Sequence, residues 1–78
     1  MNWRSRWAAV AAGLAIAVTR ECDGCISAHA RGAARQNASE AEVAEALGVT
    51  ILMNGGPATV WAPRALAAFK ELAMTEES

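Results

Sequence analysis

Apolar bulk is scarce in this chain. Its 78 residues include no tyrosine, one phenylalanine and three tryptophans, so aromatic residues make up only 5%. The apolar share reaches 54%, but twenty of those residues are alanine. Alanine favours helices and lets them approach closely while burying little area, so the interior is thin. A chain of this length makes one domain, spanning residues 1–78, and buries only about 60% of the surface that its unfolded form exposes. Such a domain needs outside support, and oligomerisation is the simplest form of it.

A surplus of either charge is missing too. Seven basic residues stand against eight acidic ones, which excludes the strongly basic surface that drives phosphate-backbone binding, so no nucleic acid is expected as a partner. The distribution is uneven. Residues 1–35 carry five Arg against Glu21 and Asp23, net +3, whereas residues 36–78 carry Arg64 and Lys70 against six Glu, net −4. The two halves could attract head to tail, or could be solvated helix faces that differ in sign. The apolar run Trp7 to Val18, twelve uncharged residues behind Arg4 and Arg6, is too short to span a bilayer. It also fits the apolar region of a secretory signal. Against that stands a stripe at helical spacing, formed by Trp3, Trp7, Val10, Leu14 and Val18, which a signal segment does not need. The chain is therefore expected to be cytoplasmic and without a membrane partner.

What is present reads as helix throughout. Asp23 and Gly24 interrupt the first helix, and a second runs from there to Asn37, a residue suited to the left-handed conformation that ends helices. Ser39-Glu-Ala-Glu42 is a capping box that opens a third helix with the stripe Val43, Leu47 and Ile51. Asn54-Gly-Gly-Pro57 stops it, and Pro57 suits the first turn of the next. In the fourth helix Trp61, Ala65, Phe69 and Leu72 or Ala73 share a face, while Pro63 kinks or restarts it and Thr75 to Ser78 form a frayed tail. Val49 to Met53 could make a strand, but inside a capped helical pattern it reads better as helix. The expected fold is all-α, a bundle of about four helices completed by oligomerisation, with Trp3, Trp7 or Trp61 contacting another subunit.

Chemistry concentrates in Cys22-Asp-Gly-Cys25-Ile-Ser-Ala-His29, where both cysteines and the one histidine fall within eight residues. On a helix, at about 100° per residue, the three side chains point within a sector of about 60°. A two-residue spacer at a helix start lets two sulfurs reach disulfide distance, and backbone amides there stabilise a thiolate. His29, one turn from Cys25, can take its proton, which makes Cys25 the candidate nucleophile and Cys22 the resolving thiol. Glu21 and Asp23 disfavour a nearby anion, with helix amides and Arg20 available to offset them. A structural zinc site needs a fourth ligand, which a carboxylate or a neighbouring subunit would have to provide. Haem attachment needs His directly after the second Cys, where Ile26 stands. Inert buried cysteines beside a core histidine are the remaining alternative. No metal and no cofactor is expected.

These residues resemble a family. Arg20-Glu-Cys-Asp-Gly-Cys-Ile-Ser-Ala-His-Ala, Ala38-Ser-Glu-Ala-Glu-Val-Ala-Glu-Ala-Leu-Gly-Val and Gly55-Gly-Pro-Ala-Thr-Val-Trp-Ala-Pro-Arg-Ala-Leu are similar, in order and over about residues 13–72, to the carboxymuconolactone decarboxylase superfamily in its alkylhydroperoxidase D-like branch. The resemblance implies an all-helical fold assembled as dimers, trimers or hexamers. It implies a thiol-dependent peroxidase or disulfide oxidoreductase with a hydroperoxide substrate and an external dithiol reductant. Cys25 corresponds to the attacking thiol, Cys22 to the resolving thiol and His29 to the proton relay. Members typically carry a relay Glu twelve residues before the first Cys, and here that position is Val10. Its loss leaves a second expectation, a non-catalytic assembly or ligand-binding subunit on the same scaffold.

Overall fold

The computed structural model describes residues 7–77, the side chains at 8, 9, 11, 12 and 75–77 excepted. Trp3 therefore lies outside the described residues. Helix α1 begins as a π-helical segment, Ala8–Ala15, and continues as an α-helical turn, Ile16–Thr19. Helices α2 (Asp23–Arg35), α3 (Glu40–Asn54) and α4 (Gly56–Glu77) follow. The fold is an all-α bundle of four helices, with no strand among the described residues.

The first two junctions are built alike. After α1, the Glu21 amide donates to the Val18 carbonyl at 3.1 Å and the Cys22 amide to the Ala17 carbonyl at 3.4 Å, with Glu21 left-handed at φ 55°. After α2, the Asn37 amide donates to Ala34 at 3.0 Å and the Ala38 amide to Ala33 at 3.1 Å, with Asn37 at φ 59°. Both are Schellman endings, in which a left-handed residue turns its amide and the next one back onto otherwise unpaired carbonyls. Asn37 fills that role as expected. Glu21 does so without the short polar side chain that makes the conformation tolerable, which is backbone strain directly before Cys22. The capping box also forms: Ser39 Oγ accepts from the Glu42 amide at 3.0 Å, and Glu42 Oε1 accepts from the Ser39 amide at 2.8 Å.

Helix α4 packs on both α2 and α3, and α1 lies mainly against α2. Val10, Leu14 and Val18 are almost wholly buried, so the stripe read along the first helix is the face that enters the core. Trp7, in the same stripe, is 45% exposed. From α2 the core receives Ile26, Ala30, Ala33 and Ala34, and from α4 it receives Ala58, Ala62, Ala65 and Phe69. Small residues on these two facing helices allow close approach in place of bulk.

Three expectations change. Ile51 is 38% exposed and Thr50 takes its place in the core beside Val43 and Leu47. Seven residues return a helix to within about 20° of its starting direction, whereas eight leave it about 80° away. The Thr50 hydroxyl donates to the Leu47 carbonyl at 2.6 Å, which removes the penalty of burying it. Pro63 does not restart the helix, which runs unbroken through it from Gly56 to Glu77, with Pro63 and Thr59, the residue four before it, both exposed. The tail expected from Thr75 is helical through Glu77, and Ser78 lies outside the described residues.

Replacing the strained residue gives a direct check. Glu21→Gly should raise unfolding stability by about 0.5–1 kcal/mol, since relief of the left-handed strain exceeds the added chain entropy of glycine. The urea midpoint should rise with no change in helix content. Leu14→Ala should lower stability by about 2–5 kcal/mol, because a wholly buried leucine leaves a cavity in a core this thin.

Candidate functional site

Cys22 is held from three directions. Its amide ends α1 by donating to Ala17, its carbonyl accepts from the Ile26 amide at 2.9 Å in the first turn of α2, and its Sγ accepts from the Cys25 amide at 3.3 Å. Its backbone is extended, φ −114° and ψ 107°, and its side chain serves as the N-cap of α2. A cysteine thus occupies the place where a serine or aspartate would ordinarily cap, and a thiolate accepts from those amides better than a thiol does. Cys25 lies in the first turn of α2. Both thiols are free; Cys22 is half-buried and Cys25 exposed.

The hydrogen bond between the two side chains divides their proton affinities. The Cys25 thiol and then the Cys25 amide, helped by the Gly24 amide, hold Cys22 below the ordinary thiol range, while burial and the Asp23 carboxylate push the other way. The same thiol–thiol bond, with burial and the Cys22 charge, pushes Cys25 up, and Arg20 pulls it down. The capping amide, which donates to Cys22 Sγ, acts in the same direction by favouring a thiolate on Cys22. Helix capping thus acts on Cys22 and not on Cys25, whereas His29 and the family resemblance point to Cys25 as the attacking thiol.

Arg64 completes the charge pattern. Its Nη2 donates to Asp23 Oδ1 at 2.8 Å, and its guanidinium lies 4.7 Å from the Trp61 ring centroid. The carboxylate beside the thiols is thereby offset from α4, 41 residues away in sequence, a partner that local spacing could not reveal. Both groups are more than half exposed, so the pair contributes little to stability.

His29 is exposed on α2, one turn beyond Cys25, and among the described residues no hydrogen bond joins it to either cysteine. Its ring rests instead on α1, against Gly13. The first helix does lie against the helix bearing His29, as a relay position on it would require. Val10 is in the core, 1% exposed, and offers no proton acceptor. Among the described residues no group of three or more His, Cys, Asp or Glu is arranged to hold a metal ion.

The profile of the carboxymuconolactone decarboxylase family matches residues 9–71, covering all of the cysteine motif and most of the bundle. The chain belongs to that family. This family member is 41% identical over 59 residues to an uncharacterised protein of Cupriavidus necator, with 76% of this chain and 52% of the relative covered. It is 36% identical over 59 residues to an uncharacterised protein of the cox locus of Paracoccus denitrificans, with 76% and 53% covered. The chain thus spans about half the length of these relatives. No solved structure matches it significantly. No helix among the described residues is long and apolar enough to cross a membrane.

The order of the thiols can be read chemically. A lowered proton affinity means that Cys22 ionises, and so alkylates, at lower pH than Cys25. With limiting iodoacetamide at pH 7, mass mapping should find Cys22 modified first despite its lesser exposure. Arg64→Ala should move Cys22 alkylation to higher pH, since it leaves the Asp23 carboxylate uncompensated.

Proposed function

We propose that this family member is a thiol-dependent oxidoreductase of the alkylhydroperoxidase D-like branch, reducing hydroperoxides through Cys22 and Cys25 with His29 as proton relay. The observation that carries this reading is the Cys25 amide on Cys22 Sγ at 3.3 Å, a helix-capping geometry that brings the pair together and favours a thiolate. The Cys22 thiolate attacks the outer peroxide oxygen and the O–O bond breaks. The departing alkoxide takes a proton delivered through His29, giving a sulfenic acid on Cys22 and an alcohol. The Cys25 thiol then condenses with the sulfenic acid, forming the disulfide and releasing water. An external dithiol restores both thiols by exchange and leaves as its own disulfide. A pair that must be kept reduced suits the cytoplasm.

Homo-oligomeric assembly belongs to the same proposal. Trp7, Ile16, Val49 and Met53 line an apolar groove between α1 and α3, and each is exposed. A second reading, a non-catalytic assembly subunit, draws on Val10, which leaves the position of the relay carboxylate apolar and buried.

Peroxide consumption with a dithiol donor tests the proposal. The native chain should turn over, and Cys22→Ser and Cys25→Ser should each fall to background. In Cys25→Ser a sulfenic acid should accumulate on Cys22. Accumulation on Cys25 in Cys22→Ser instead would reverse the two roles, while retention of both native thiols under peroxide would favour the non-catalytic subunit. Light scattering at micromolar concentration should show more than an 8.1 kDa monomer.

A further inference from the structure

Gly13 sits inside α1 and is buried, at a position where alanine would ordinarily stabilise a helix. A Cβ placed on it would lie 2.7 Å from His29 Nδ1, 3.1 Å from its Cγ and 3.4 Å from its Cβ. The shortest of these is too close for any real side chain, so the imidazole rests on the bare backbone of α1. The other five glycines have nothing within 4 Å of such a Cβ. Glycine at position 13 is thus matched to one neighbour, and that neighbour is the only histidine of the chain. Because no hydrogen bond orients His29 among the described residues, packing on α1 sets the place of its ring.

Resting on the reading of Cys22 and Cys25 as a redox pair served by His29, we propose that Gly13 is a positioning residue whose missing side chain forms the seat of the His29 imidazole. Helix α1 then enters the site through its backbone. The seat limits how far the ring can swing from the turn that carries Cys25. A methyl group at position 13 meets the ring near its Cγ as well as at Nδ1, so rotation about the last bond alone does not clear it. The ring must leave α1. Two effects of Gly13→Ala therefore oppose each other: the helix gains propensity, and the relay loses its place.

The single histidine makes the test direct, because the imidazole protons give one set of resonances. In the native protein these resonances should shift when the dithiol is oxidised to the disulfide with a small disulfide reagent. In Gly13→Ala and in Gly13→Ser they should move toward the positions of a free imidazole, with most of the redox-linked shift lost. Peroxide turnover should fall about tenfold or more, part of the 10²- to 10⁴-fold that general acid–base assistance is worth. In a His29→Ala background, Gly13→Ala should have no further effect on turnover and should raise the urea midpoint. Should Gly13→Ala alone fail to fold, adding His29→Ala should restore folding, since it removes the obstructing ring. Native His29 resonances in Gly13→Ala, or no rescue of a misfolded Gly13→Ala by His29→Ala, overturn the seat. Absence of peroxide turnover in the native protein would overturn the proposed activity and leave the resonance test of the seat intact.

Discussion

The site depends on a junction in which one residue ends a helix and begins the next. The Cys22 amide closes the Schellman ending of α1, and its carbonyl and sulfur take up amides at the start of α2. Between the two helices there is no slack. Any shift of α1 along its axis would be transmitted to the sulfur through the Ala17 hydrogen bond, and any fraying of α2 would remove the amide that favours the thiolate. The strained Glu21 is the local cost of this economy, and it persists because two hydrogen bonds and the packing of both helices determine its conformation.

That junction can be held rigidly only if the helices are held, and alanine-rich faces do so by proximity. Ala30, Ala33 and Ala34 on α2 and Ala58, Ala62 and Ala65 on α4 are buried, so the two backbones come close where larger side chains would separate them. The larger core residues are Ile26 on α2, Phe69 on α4, Val43 and Leu47 on α3, and Val10, Leu14 and Val18 on α1. Close approach also lets Arg64 on α4 reach Asp23 at the start of α2. The charge balance beside the thiols is therefore a consequence of how small the core residues are.

Much of this was legible in the sequence, for identifiable reasons. Ser39 and Glu42 announce a capping box by identity and spacing, and Asn37 announces a left-handed ending, because those side chains do the same local work in any helix. The burial of Val10, Leu14 and Val18 follows from helical periodicity. The exchange of Ile51 for Thr50 shows where that rule is coarse: hydrophobicity favoured the isoleucine, while angle favoured the threonine, whose hydroxyl could satisfy itself on its own helix. Cys22, Cys25 and His29 were visible as a cluster. Which sulfur caps α2 was not, because that depends on the left-handed Glu21, for which the sequence carries no sign. Arg64 could not be found from spacing at all. Gly13 left a faint signal, as a glycine within an otherwise favourable helical run.

The same geometry separates two demands that a peroxidase must meet. Favouring a thiolate is a task for the fixed amide at the start of α2 and for the Cys25 thiol, and neither depends on a carboxylate in α1. Delivering a proton to a departing alkoxide requires a group that can gain and lose one, and the apolar Val10 cannot contribute. Thiol–disulfide exchange leans mainly on the first, because a departing thiolate is a far weaker base than an alkoxide and needs less help to leave. Peroxide reduction leans on both. Under the proposed activity, a valine at position 10 would therefore weigh on the two reactions unequally: it would leave the exchange chemistry of the pair supported by backbone, and place the whole burden of proton delivery on His29.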